Sequence, residues 1–96
     1  VPERTVYVIG TTASGRKDFC KRLSEGRASR VVRILQEYGV DSTKMIAAGL
    51  DYENPWHVED RDAKGNFIES LARENRTVRI IDQKSEDAGL LEPYLG

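Results

Sequence analysis

"LSEGRASRVVRILQEYGV", residues 23 to 40, decides the fold. Placed about 100° apart round a helix axis, its large apolar residues gather on one stripe. With Arg27 at zero, Leu23 lies at about −40°, Ile34 at about −20°, Tyr38 at about +20°, Val31 at about +40° and Leu35 at about +80°. Continued upstream, the same helix puts Cys20 at about +20°. Arg22, Arg30, Arg33, Gln36 and Glu37 take the flanks and the far side, where water reaches them. The spacing predicts one long amphipathic helix over residues 17 to 38, with Asp18 in its first turn and Gly39 closing it. Arg27 then lies in the middle of the inward stripe. A guanidinium keeps its charge and is costly to bury alone, so the pattern demands an anion for it.

Outward from this helix, "TVYVIG", residues 5 to 10, is rich in β-branched and aromatic residues and stops at a glycine, which predicts a buried strand. "TTASGRKD" joins the two as a loop with Ser14-Gly15 as its turn. A second strand is expected over residues 44 to 48, ending at Gly49. "LDYENPWHVEDRDAKGN" follows as a long polar loop in which Asn54-Pro55 argues against regular structure. Residues 66 to 74 predict a second helix, with Phe67, Ile68, Leu71 and Ala72 on its apolar side. "RTVRIID", residues 76 to 82, predicts a third strand that alternates Val78 and Ile80 against Thr77 and Arg79. The order β-α-β-α-β predicts an α/β (α+β) sandwich with helices packed on one side of a small mixed sheet. Residues 1–82 form the expected domain, and 83–96 a C-terminal tail that is irregular or a short terminal turn. The opening "VPERTVYVIG" enters almost at once into a strand with no leader, as a fragment of a longer chain would.

The chain has 96 residues, enough for one domain and too few for two. Its 39% hydrophobic and 32% charged residues suit a small domain with a modest core. A net charge of −1 gives no global attraction to nucleic acid or to an anionic membrane. Basic residues cluster between Arg16 and Arg33, but they spread round the helix and no aromatic residues interleave with them. Nucleic acid is therefore not an expected partner. The single cysteine excludes an internal disulfide, and no apolar run approaches the ~20 residues of a membrane-spanning helix.

Spacing leaves Arg27 two uses. It can pair with a carboxylate of this chain (Asp51, Glu53 or Asp82) or reach an edge to water. Alternatively, its fork can hold a ligand carboxylate or phosphate in bidentate fashion. His57, with Glu59, Asp60 and Asp62 nearby, is a weak metal pattern on what reads as a solvated loop, and Trp56 reads as a packing residue. Cys20 falls on the inward stripe and reads as packing, because the only histidine lies on a distant loop. "GTTASG" could cradle an anion between strand and helix, but it lacks the glycine spacing and lysine of a P-loop. No catalytic constellation stands out. No enzyme, cofactor or metal is expected.

Three stretches, in order, resemble the OmpA-like peptidoglycan-binding domain of the bacterial envelope. "VYVIGTTASG" is similar to the family's strand and its Gly-His-Thr-Asp-type loop. "LSEGRASRVVRILQEYGVDSTKMIAAGLDYENP" is similar to its "LSxxRAxxVxxxLxxxGI…KIxAxGxGExxP" block, and "ARENRTVRI" to its closing "AxNRRVEI". The resemblance implies an OmpA-like fold lacking the family's first strand and helix. It also implies a non-covalent anchor to peptidoglycan, in which Arg27, within the pair Arg27-Ala28, grips a diaminopimelate carboxylate of the stem peptide. Thr11, Thr12 and Ala13 would supply the loop of that site, Leu23 would pack beside it, and Asn75 and Arg76 would border it. Ala13 stands where the family usually carries an aspartate for the ligand's amino group, Asp51 replaces a familiar glycine, and Thr77 replaces an arginine. The implied location is the periplasm or cell envelope, in an outer-membrane-associated parent protein. The alternative is an OmpA-like domain serving as an assembly module in an envelope or secretion complex, with other proteins of that complex as partners and no wall binding.

Overall fold

The structure, a computed structural model, describes residues 4–95. Strand β1 (Val6–Gly10) leads into helix α1 (Lys17–Glu37), a 3-10 turn (Ser42–Lys44) and strand β2 (Met45–Gly49); helix α2 (Glu69–Asn75), strand β3 (Val78–Asp82) and helix α3 (Glu86–Leu95) complete the chain. The three strands form one mixed sheet in the order β2-β1-β3. β1 runs parallel to β2, with Val8 opposite Ala47, and antiparallel to β3, with Val8 opposite Ile80. The central strand is the one whose Val8 and Ile9 are fully buried. The α+β class, the small mixed sheet and the element order β-α-β-α-β match the sequence expectation, but the helices do not share one side of the sheet: α1 packs on one face and α3, which was not expected, on the other.

α1 begins and ends as its sequence predicts. Gly39 takes φ +93°, which costs glycine nothing, and it closes a two-bond cap. Gly39 N donates to Gln36 O at 3.0 Å, and Val40 N donates to Leu35 O at 3.0 Å. The rotation of the helix is not the predicted one. Its buried residues are Cys20, Ser24 and Ala28, with Val31, Val32 and Leu35 half-buried behind them, while Leu23, Ile34 and Tyr38 are exposed. The inward face is turned by about 70° from Arg27, which sits at its edge. The cause lies in the sheet. A Cβ at Gly10 would stand 2.0 Å from Ser24 O, and one at Gly49 would stand 2.3 Å from Glu25 N. Glycine on the strands and Ser24 and Ala28 on the helix let two backbones touch, and that contact outranks the larger apolar residues.

The opposite face of the sheet carries a different core. Ile9, Leu50 and Ile81 pack with Ala88 and Leu91 of α3, and Leu91 is fully buried. Residues 86 to 95 are thus a packed helix, where an irregular tail or a short turn was expected. Ala88 and Leu91, three positions apart, present one apolar face to the sheet. Ile80, expected to face inward with Val78, is instead 55% exposed, and Ile81 takes the buried position. α2 starts later than predicted because Phe67 bridges Arg61 and Ile68 N donates to Asp60 O at 2.8 Å, which keeps residues 66 to 68 extended.

Candidate functional site: a cleft lined by arginine

At the carboxyl end of β1 the chain turns through residues 11 to 15 before entering α1. Thr11 N donates to Thr77 O at 2.9 Å, and Thr12 N donates to Asp51 O at 3.1 Å, so the loop is strung between the segments beside β3 and β2. Asp51 itself sits at φ +49°, the left-handed region, which explains why glycine suits this position and why the short polar side chain of Asp tolerates it. Its N–H donates to Ser24 Oγ at 3.0 Å.

A second segment fixes the loop from outside. Asp60 is fully buried and accepts from Ser14 N at 3.0 Å, from Ser14 Oγ at 2.5 Å and from Asn75 Nδ2 at 3.0 Å. Burial works to raise the Asp60 pKa, but the Ser14 hydroxyl, the Ser14 N–H and the Asn75 amide outweigh it and hold the carboxyl below its usual range. Asn75 also clamps the backbone of Val58, donating to its carbonyl at 2.8 Å and accepting from its N–H at 3.0 Å. The acidic loop expected to be solvated therefore turns one carboxylate inward as a bracket.

Between this loop, α1 and residues 61 to 67 lies a cleft of about 290 Å³. Thr12, Ala13, Leu23, Arg27 and Arg76, five of the predicted site residues, line it together. Thr11 and Asn75 stand behind it, with Thr11 Oγ1 donating to Asn75 O at 2.8 Å. Phe19 and Phe67 extend the apolar wall of Leu23. Cys20 is buried beside them, its thiol 3.6 Å from Ala13 O, as a packing residue would be. No carboxylate lines the cleft among the described residues.

Arg27 is half-buried and, among the described residues, makes one hydrogen bond, from Nη1 to Thr11 O at 2.9 Å, and no ion pair. Burial, and next the charge of Arg76, push its guanidinium below the ordinary value, yet it stays charged. The carboxylates proposed as internal partners are engaged elsewhere: Asp51 and Glu53 with Lys17, and Asp82 with Arg4 at 2.6 Å. Thr12 Oγ1 is buried with no hydrogen-bond partner among the described residues.

Arg61 is the lining residue that the sequence did not reveal. Its guanidinium lies 3.7 Å from the centre of the Phe67 ring, and it donates to Ser14 Oγ at 3.1 Å, Ser14 O at 3.2 Å and Gly65 O at 2.8 Å. Arg76 approaches the same ring at 5.7 Å and pairs with Glu69 at 2.5 Å. Arg61 is aimed by a tight turn in which Gly65 N donates to Asp62 O at 3.0 Å, with Gly65 at φ +83°. The signal was present: Asp62 and Gly65 are the first and fourth residues of a turn that favours both.

Models of protein families and curated proteins give no match to the chain. Among solved structures, the chain has the fold of an OmpA-like domain. The OmpA-like domain of FopA1 from Francisella tularensis subsp. tularensis SCHU S4 is similar to it with a TM-score of 0.59 and 24% identity, over 81% of this chain and 48% of that one. The chain thus spans about half the length of that structure.

Proposed function

We propose that the cleft is a carboxylate site and that the protein uses it to hold peptidoglycan non-covalently at the bacterial cell envelope, with Arg27 gripping a diaminopimelate carboxylate of the stem peptide. The observation that carries this is a half-buried guanidinium with, among the described residues, one carbonyl contact and no carboxylate, and an open cleft before it. An arginine placed so is an incomplete pair, and a planar carboxylate completes it. The OmpA-like fold and the Arg27-Ala28 pair support the choice of ligand. Residues 12 to 14 line the cleft, where a bound peptide would meet them. The alternative, an assembly module in an envelope complex, would be favoured by a carboxylate of this chain closing on Arg27, and among the described residues Arg27 has none.

The test is co-sedimentation with purified peptidoglycan. A charge-assisted hydrogen bond is worth about 1.5–3 kcal/mol, so Arg27→Ala should weaken binding roughly tenfold to hundredfold while the circular dichroism spectrum stays that of the folded parent. Unchanged sedimentation of Arg27→Ala would sink the proposal.

A further inference from the structure

The charges around the cleft say more about the ligand than that it carries a carboxylate. Three arginines line it; Arg76 is paired with Glu69 at 2.5 Å, while among the described residues Arg27 and Arg61 have no ion pair and no acid lines the cleft. Carbonyls at its rim already accept from guanidinium groups: Thr11 O from Arg27, and Ser14 O and Gly65 O from Arg61. Asp60 is fully buried, and both its oxygens accept from Ser14 or Asn75. Ser14 Oγ is itself held between Asp60 and Arg61. A free amino acid presents an ammonium beside its carboxylate. Docked on Arg27, that ammonium would meet the charges of Arg27 and Arg61, and the carbonyls nearest to it already face guanidinium groups. An acylated amine carries no charge, and its acyl group can lie against Leu23, Phe19 and Phe67.

We infer that the cleft takes a carboxylate whose neighbouring amine is already acylated, so that among cell-wall peptides it favours the diaminopimelate of a cross-link over one with a free side-chain amine. This rests on the cleft being the carboxylate site proposed above.

Three soluble stem tripeptides, each with its glutamate α-carboxyl and its diaminopimelate backbone carboxyl amidated so that only the side-chain carboxylate remains, separate the two claims by isothermal titration calorimetry: one with the diaminopimelate side-chain amine free, one with that amine acetylated, and one with it dimethylated. Dimethylation adds bulk but keeps the charge. The acetylated peptide should bind about tenfold tighter than either of the others, and Arg27→Ala should weaken its binding roughly tenfold to hundredfold. Equal binding of all three, or tighter binding of the free amine, overturns this inference and leaves the carboxylate site standing. Tight binding of the dimethylated peptide would make the preference one of size and overturn the charge argument. If the acetylated peptide does not bind, or binds Arg27→Ala equally well, the carboxylate site itself fails and this inference with it.

Discussion

The two faces of the sheet are held by opposite means. On the α3 face, bulk does the packing: Ile9, Ile81, Leu50 and Leu91 fill the space. On the α1 face, the closest contact is made by Gly10 and Gly49 against Ser24 and the backbone of Glu25. The first kind of contact supplies buried area and tolerates some repacking. The second fixes distance and rotation, because backbones in contact cannot slide past one another. That is why Arg27 ends at the border of the core, facing the cleft, and not in the core itself. Stability and site geometry are thus assigned to different faces.

Substitutions can break this contrast in order of severity. Gly10→Ala should be worst, because its Cβ would meet a main-chain carbonyl that no rotamer change can relieve. Overpacking usually costs about 1–3 kcal/mol, and here the whole helix must lift, so the expected outcome is a protein with no cooperative thermal transition. Leu91→Ala should cost about 2–5 kcal/mol in chemical denaturation, yet the folded fraction should keep its affinity for peptidoglycan, since Leu91 belongs to the other face. A loss of affinity there would show that the two faces are coupled.

Asp60→Asn sharpens the comparison at the loop. Its amide NH2 would confront the donors of Ser14 and Asn75, at a cost of about 1–3 kcal/mol. Because the folded carboxyl is held below its usual range, its contribution is full above the unfolded pKa and is lost as pH falls through the folded one. Urea denaturation at about pH 7 and about pH 3 should therefore show a gap between parent and variant that narrows in acid. A gap independent of pH would place the effect of the substitution elsewhere.

The order of the elements, the extent of α1 and its Gly39 cap were legible in the sequence because each depends on local residues. The rotation of α1 was not, since it is set by glycines on two strands that the helix meets only after folding. Apolar periodicity assigns weight to size, and here small residues decide. Arg27 was singled out as a charge in need of an anion, with an internal pair and a ligand both open, but from a position turned about 70° from its real one. Arg61 and Asp60 lay hidden in a polar loop whose order comes from Asn75 and Ser14, residues distant in sequence. α3 was missed because two buried residues, Ala88 and Leu91, carry its packing among Gly, Pro and acids.

The glycine seam leaves Arg27 at the cleft with no ion pair among the described residues, open to a ligand carboxylate. An NMR titration of the labelled protein with a soluble diaminopimelate-containing muropeptide, run beside Arg27→Ala, tests it most directly. The account predicts saturable shifts in residues 12 to 15, Leu23, Arg27 and Arg61 of the parent, absent in the variant. Flat spectra from a folded parent at millimolar ligand, or shifts that persist in Arg27→Ala, would contradict it.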